Sequence, residues 1–165
     1  MKDLKSYIQE EINEGFKIGK TKAKEYNNTP INSVDDFARE LSKEFGIKVK
    51  QLKGYDSTKE FGNWGDYGAK TIAKNCYELF VPNELQEKPT PVKLQFGIVD
   101  YVTKDWMKKQ IKEGEMIMRT CKKESTLSGK ETFKWRNNAL ESIPFGETLD
   151  AYIEHIKSKV NGPNA

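Results

Sequence analysis

The sequence predicts a single α+β domain, a twisted antiparallel sheet with helices packed mainly on one face. Three observations carry that expectation. Val92, Leu94, Phe96 and Ile98 alternate without a break, the period of a strand with one buried face. Segments 33–46 and 148–162 carry apolar residues at helical spacing between start and stop residues, the pattern of capped amphipathic helices. The early strand-to-strand connections are too short for helical crossovers, so neighbouring strands should pair antiparallel. A chain of 165 residues fits one domain, since domains most often hold about 100–150 residues.

Residues 3–14 read as an amphipathic helix, capped by Asp3, with Leu4, Ile8 and Ile12 on one face and Gly15 at its end. Residues 15–32 are basic and weakly patterned, ending Asn27-Asn28-Thr29-Pro30, which reads as a linker and places the folded domain at 33–165. Ser33 and Asp36 have capping-box spacing, Val34, Phe37, Ala38, Leu41 and Phe45 share a helix face, and Gly46 follows as the stop. Ile47, Val49 and Gln51 alternate with Lys48 and Lys50, a short half-exposed strand. A loop spans Gly54 to Gly68. Residues 71–81 form a strand with Tyr77, Leu79 and Val81 on one face and Cys76, Glu78 and Phe80 on the other. After a turn-rich stretch and the strand through Ile98, a short helix carries Trp106 and Ile111. Met116–Cys121 and Thr132–Arg136 read as strands. Leu149, Tyr152, Ile153, Ile156 and Val160 line the last helix, which Gly162-Pro163 stop.

Composition excludes several classes. Twenty-eight basic residues against 25 acidic ones give a net charge of +3, too balanced to require a nucleic-acid partner. All but Arg39, Arg119 and Arg136 of the basic residues are lysines, solvated point charges rather than planar forks. No apolar run approaches the 18 residues or so of a membrane helix, and the N-terminus lacks the apolar stretch of a secretory signal. Cys76 and Cys121 are expected to be free thiols. Two cysteines and one histidine cannot complete a tetrahedral Cys/His zinc site, and no metal or other cofactor is expected.

The segment Gly54–Gly68 interleaves four glycines with four aromatics, Tyr55, Phe61, Trp64 and Tyr67. Glycine frees the backbone, and the aromatics supply rigid contact area with polar edges, the chemistry of a binding loop. The structural counter-reading folds Phe61 and Trp64 back over the sheet edge. A second candidate surface is the basic first third, where Lys17, Lys20, Lys22, Lys24, Lys48 and Lys50 suit phosphate tracking. A third reading is a small hydrolase using the strand carboxylates Glu78 and Asp100. Ser128-Gly129-Lys130-Glu131-Thr132 departs from a phosphate loop, because Glu131 stands where Ser or Thr is required. His155 is the sole histidine, lies near the solvent side of the last helix, and has no triad context.

Met1-Lys2-Asp3-Leu4-Lys5-Ser6-Tyr7-Ile8-Gln9-Glu10 resembles the capsid-targeting peptides of internal head proteins of large tailed phages. Those begin Met-Lys, carry an aromatic and Ile in a short amphipathic helix, and end at a Leu/Ile-x-Glu protease site. Ile8-Gln9-Glu10 matches that site, and Ile12-Asn13-Glu14 offers a second. The resemblance covers residues 1–14 and implies a phage protein delivered into the prohead, trimmed there, and ejected to act on a host enzyme. The combined expectation is a non-enzymatic binding protein with a protein partner. It would be an accessory virion protein or an inhibitor of a host nucleic-acid-acting protein, in the host cytoplasm or inside the phage head. Direct nucleic-acid binding and the carboxylate hydrolase stand as alternatives.

Overall fold

The computed structural model describes residues 26, 28–62, 68–125, 128–136 and 140–162. The expected N-terminal helix, Lys17 to Lys24, Trp64 and Tyr67 lie outside the described residues. Helix α1 spans Val34–Phe45. The Ser33 hydroxyl accepts the backbone N–H of Asp36 at 3.0 Å, satisfying a donor that the helix itself leaves unpaired. The Asp36 carboxylate reaches back to the N–H of Asn32 at 3.3 Å, one residue beyond the usual reciprocal partner, the N-cap N–H. Gly46 ends the helix in the left-handed region, at φ 61°. Helix α2 spans Leu149–Asn161 and buries Leu149, Tyr152, Ile153, Ile156 and Val160, the face that the helical period predicts.

Between the helices run β1 (Lys50–Gln51), β2 (Lys59–Phe61), β3 (Thr71–Phe80), β4 (Val92–Val102), β5 (Met116–Ser125), β6 (Glu131–Trp135) and β7 (Ser142–Ile143). They form one antiparallel sheet. The long strands β3, β4 and β5 are its centre. Short β1 and β2 share the outer edge of β3, and short β6 and β7 share the outer edge of β5.

Both helices pack on one face. Phe37 of α1 meets Phe96 edge-on at 4.8 Å between ring centroids and Tyr152 of α2 at 5.4 Å, and Tyr77 stacks on Phe96 at 5.4 Å. Val92 and Leu94 are buried in the same core, with Ile98 packed against it. On the opposite face a second core gathers Phe61, Ala73, Cys76, Val99, Val102, Met107, Ile111 and Ile117.

Two bulges set which side chains enter the second core. Lys74 pairs with Ile98 and Tyr77 with Phe96, so Asn75 and Cys76 together oppose Gly97. Asn75 takes a φ of 54°, a left-handed value that asparagine tolerates better than most residues. A Cβ at position 97 would lie 2.7 Å from both Cys76 Sγ and the Lys74 carbonyl oxygen, so glycine is required for the approach. One pair further on, Ile72 opposes Tyr101 and Ala73 opposes Val99, which leaves Asp100 as the extra residue of β4.

Several local expectations change. The 54–68 segment is not all loop: residues Gly54–Ser57 form a 3-10 turn and Lys59–Phe61 pair with β3. A three-residue strand is too short to show a period. Asp105–Lys109 is a 3-10 helix, burying Met107 and leaving Trp106 55% exposed. The backbone bonds of Val99 with Glu115 and Gly114, both 2.9 Å, hold β4 and the start of β5 together and leave only a tight connection. The first expected strand shortens to Lys50–Gln51, with Ile47 and Val49 packed against the helix-side core as approaching chain. The last residues of the expected linker belong to the domain. Tyr26 and Ile31 are core residues, and Ile31 exchanges backbone bonds with Glu147 and Gly146 at 2.8 and 2.7 Å. A lone Ile between Pro30 and Asn32 shows no period, so its burial was not legible.

Candidate functional site

The second sheet face has two halves. Near the bulges it is closed by the second core. Toward the other end, strand register lays two rows of side chains across it. In one row Lys50, Glu78, Gln95 and Arg119 stand on β1, β3, β4 and β5. In the next, Phe80, Lys93, Cys121 and Trp135 stand on β3, β4, β5 and β6.

Arg119 is the hub, with only 9% of its surface exposed. Its Nε and Nη2 donate to Gln95 Oε1 at 3.0 and 2.8 Å, and its Nη1 donates to the Glu60 carbonyl oxygen at 2.9 Å. Its guanidinium lies 4.3 Å from the ring centroid of Phe61 and 4.5 Å from that of Trp135, a double cation–π contact. Gln95 passes the network on, donating from Nε2 to Glu78 Oε1 at 2.9 Å. Burial pushes the guanidinium down to about 10, which leaves it a cation at neutral pH. Each of the three guanidinium nitrogens thus donates once inside the protein, with the group seated between the rings of Phe61 and Trp135.

The outer row is more open. Phe80 is 58% exposed, with the Lys93 ammonium 5.5 Å from its ring centroid. Trp135 is half-buried against Arg119. Burial raises the Cys121 thiol and pushes Cys76 up to about 11, so both stay protonated and poorly nucleophilic at neutral pH. Both are free cysteines. Lys50 is exposed, and so is Lys48 two residues ahead of it. Ile47 and Val49 pack against the helix-side core, while Lys50, opposite Glu78 in register, stands on the Phe80 side of the sheet.

Of the expected binding-loop residues, the two that are described, Tyr55 and Phe61, lie in different environments. Tyr55 projects into solvent at 98% exposure, while Phe61 is fully buried beneath Arg119. Phe61 is therefore a support and not a contact. The carboxylates Glu78 and Asp100 are not brought together either. Glu78 is held by Gln95, and Asp100 pairs with Lys74 at 3.5 Å. Gln95, the register partner of Glu78, lies five residues from Asp100 on β4, roughly 17 Å of extended strand. Paired-carboxylate hydrolysis of glycosides tolerates at most about 9.5 Å. His155 sits 3.9 Å from the Glu141 carboxylate at the surface.

Phe80, Lys93, Gln95, Arg119 and Trp135 were not singled out from sequence. The one signal was compositional: an arginine within the apolar run Met116–Cys121 of a lysine-dominated chain. Elsewhere, a cleft of about 490 Å³ lies between Gln86, Lys122 and Asn161. Its polar groups serve backbone: Gln86 donates to Thr90 O at 3.0 Å, Asn161 to Leu85 O at 2.8 Å and Lys122 to Val160 O at 3.2 Å. Among the described residues no three His, Cys, Asp or Glu side chains group as a metal site, and no helix is long and apolar enough to cross a membrane. No family model, curated protein or solved structure matches the chain.

Proposed function

We propose that this is a non-enzymatic binding protein that acts by presenting the open half of its second sheet face to a macromolecular partner. The observation that carries the reading is the Phe80–Lys93–Cys121–Trp135 row beside an immobilised Arg119. The surface is built on paired strands, so little ordering cost falls on association. The groups that chemistry would need on this face are already engaged: Glu78 by Gln95, Arg119 by Gln95 and Glu60, and the Cys121 thiol by its own burial. The likeness of residues 1–14 to capsid-targeting peptides supports a phage or mobile-element setting, with the protein as a virion accessory or as an inhibitor of host nucleic-acid-acting machinery.

The test compares the immobilised full-length chain with a Phe80→Ala/Lys93→Ala variant in a bacterial lysate, with retained protein and nucleic acid measured separately. Phe80 is exposed and Lys93 half-buried at the margin of the sheet, outside both cores, so the variant should lose no more than about 1 kcal/mol of stability and lose the retained material. Equal retention by a folded variant would remove this face as the contact surface.

A further inference from the structure

We infer that the partner taken by this face is single-stranded nucleic acid. The inference deepens the preceding reading and rests on it. Phe80 and Trp135 stand at opposite ends of one row, separated by three inter-strand spacings, roughly 14 Å. Aromatic rings presented on the face of an antiparallel sheet, here exposed Phe80 and half-buried Trp135, are stacking platforms for unpaired bases, a contact that tolerates any sequence because every base has a π-face. A duplex keeps its base faces stacked internally and cannot offer them to Phe80.

Charge on the same side agrees. The Lys93 ammonium lies 5.5 Å from the Phe80 ring centroid, Lys50 stands in the neighbouring row opposite Glu78 with exposed Lys48 two residues ahead of it, and Arg119 lies beneath Trp135. Among the described side chains, the carboxylates that act on Arg119 are Glu78, which accepts from Gln95, and Glu60 of β2. Lysine point charges suit a phosphate backbone that is tracked rather than read, which fits a chain holding only three arginines. Arg119 donates once from each of its three nitrogens inside the protein and is buried. It therefore serves this face as a positioning residue beneath Trp135. A protein partner fits less well. A standard protein interface buries about 800 Å² on each side around an apolar core, whereas the apolar surface offered by these two rows is Phe80 and part of Trp135.

Fluorescence anisotropy with the full-length chain tests this, using labelled single-stranded DNA and RNA of about 12 nucleotides, within the range of site sizes on comparable platforms. The same sequence as a duplex is the control. The single strand should bind more tightly than the duplex. Phe80→Ala should weaken it by at least about fivefold, the lower bound of one lost stacking contact, with an unchanged salt slope. Replacing Lys48, Lys50 and Lys93 together with Ala should flatten the slope of log affinity against log salt by about 2, the share of three phosphate contacts on a single strand. Equal affinity for duplex and single strand, or a folded Phe80→Ala chain that binds as wild type, would overturn the inference. If no oligonucleotide binds while the lysate experiment still retains a protein through Phe80 and Lys93, the nucleic-acid inference falls and the binding-protein reading stands. If that retention is also indifferent to both residues, both fall.

Discussion

On the helix-covered face, Phe96 packs its ring against Phe37 and Tyr77 within an apolar core. On the opposite face its chain neighbour Gln95 accepts from Arg119 with its side-chain oxygen and donates its side-chain amide to Glu78. The same strand therefore supports two kinds of interior. The first is apolar, closed over by two amphipathic helices, and tolerant of imprecise geometry because burial is non-directional. The second depends on direction: each donor must find its acceptor, since an orphaned buried polar group costs its full desolvation. A surface of the second kind is costly to build and rigid once built. Its exposed margin is the surface proposed above for contact with a partner.

The largest effect should come from the apolar side. Phe96→Ala removes a fully buried ring touching both helix-borne and strand-borne aromatics, and should cost about 3–5 kcal/mol in urea unfolding. A loss below about 1 kcal/mol would mean that the helix-covered face does not carry the stability, and the contrast between the faces would fail.

The polar side should respond next. Arg119→Leu keeps an apolar stem but strips the donors from the Gln95 side-chain oxygen and the Glu60 carbonyl. The expected cost is about 2–3 kcal/mol. Arg119→Lys should recover little of it, because an ammonium cannot reproduce the planar fork between two rings. Full recovery by lysine would show that charge alone, without directed bonding, holds this face.

The smallest effect tests a polar contact at the rim of the apolar core. The Tyr77 hydroxyl donates to the Asp35 carboxylate of α1. Burial, and then that bond, push the Tyr77 phenol up to about 12, above its ordinary value near 10. The folded chain thus holds this proton more tightly than the unfolded chain does. The associated stability is complete below pH about 10 and is lost as pH rises through about 12. Tyr77→Phe should cost about 1–2 kcal/mol at neutral pH and should lessen the alkaline loss. Cys76, pushed up to about 11, keeps part of that loss in place. Urea midpoints for both chains across this pH range provide the measurement, and an identical alkaline slope would detach Tyr77 from it.

Much of the apolar face was legible in advance. The Ser33 cap, the Gly46 stop and the Phe37, Leu41, Tyr152 and Ile153 positions follow from spacings of three or four residues. The buried side of β4 follows from a spacing of two. The candidate surface was legible only in pieces. Lys50 and Phe80 carried a correct side of the strand, but nothing local joined them. Phe61 was read as a loop aromatic because Lys59–Phe61 gains its strand character only by pairing with Ala73–Thr71.

The division has a physical cause. Helix caps and apolar periods are contacts between near neighbours in sequence, so the sequence by itself determined the two helices, the strand alternation and the α+β class. Arg119 takes one partner 24 residues away and another 59 residues away. Their meeting depends on strand register and on two bulges that decide which side chains turn to the second face. Ile31 closes on Gly146 and Glu147 near the far end of the chain in the same way. Such contacts have no periodicity to announce them. Only the tertiary structure placed Phe80, Lys93, Arg119 and Trp135 on one surface, because register, unlike amphipathicity, is a relation between strands and not a property of either one.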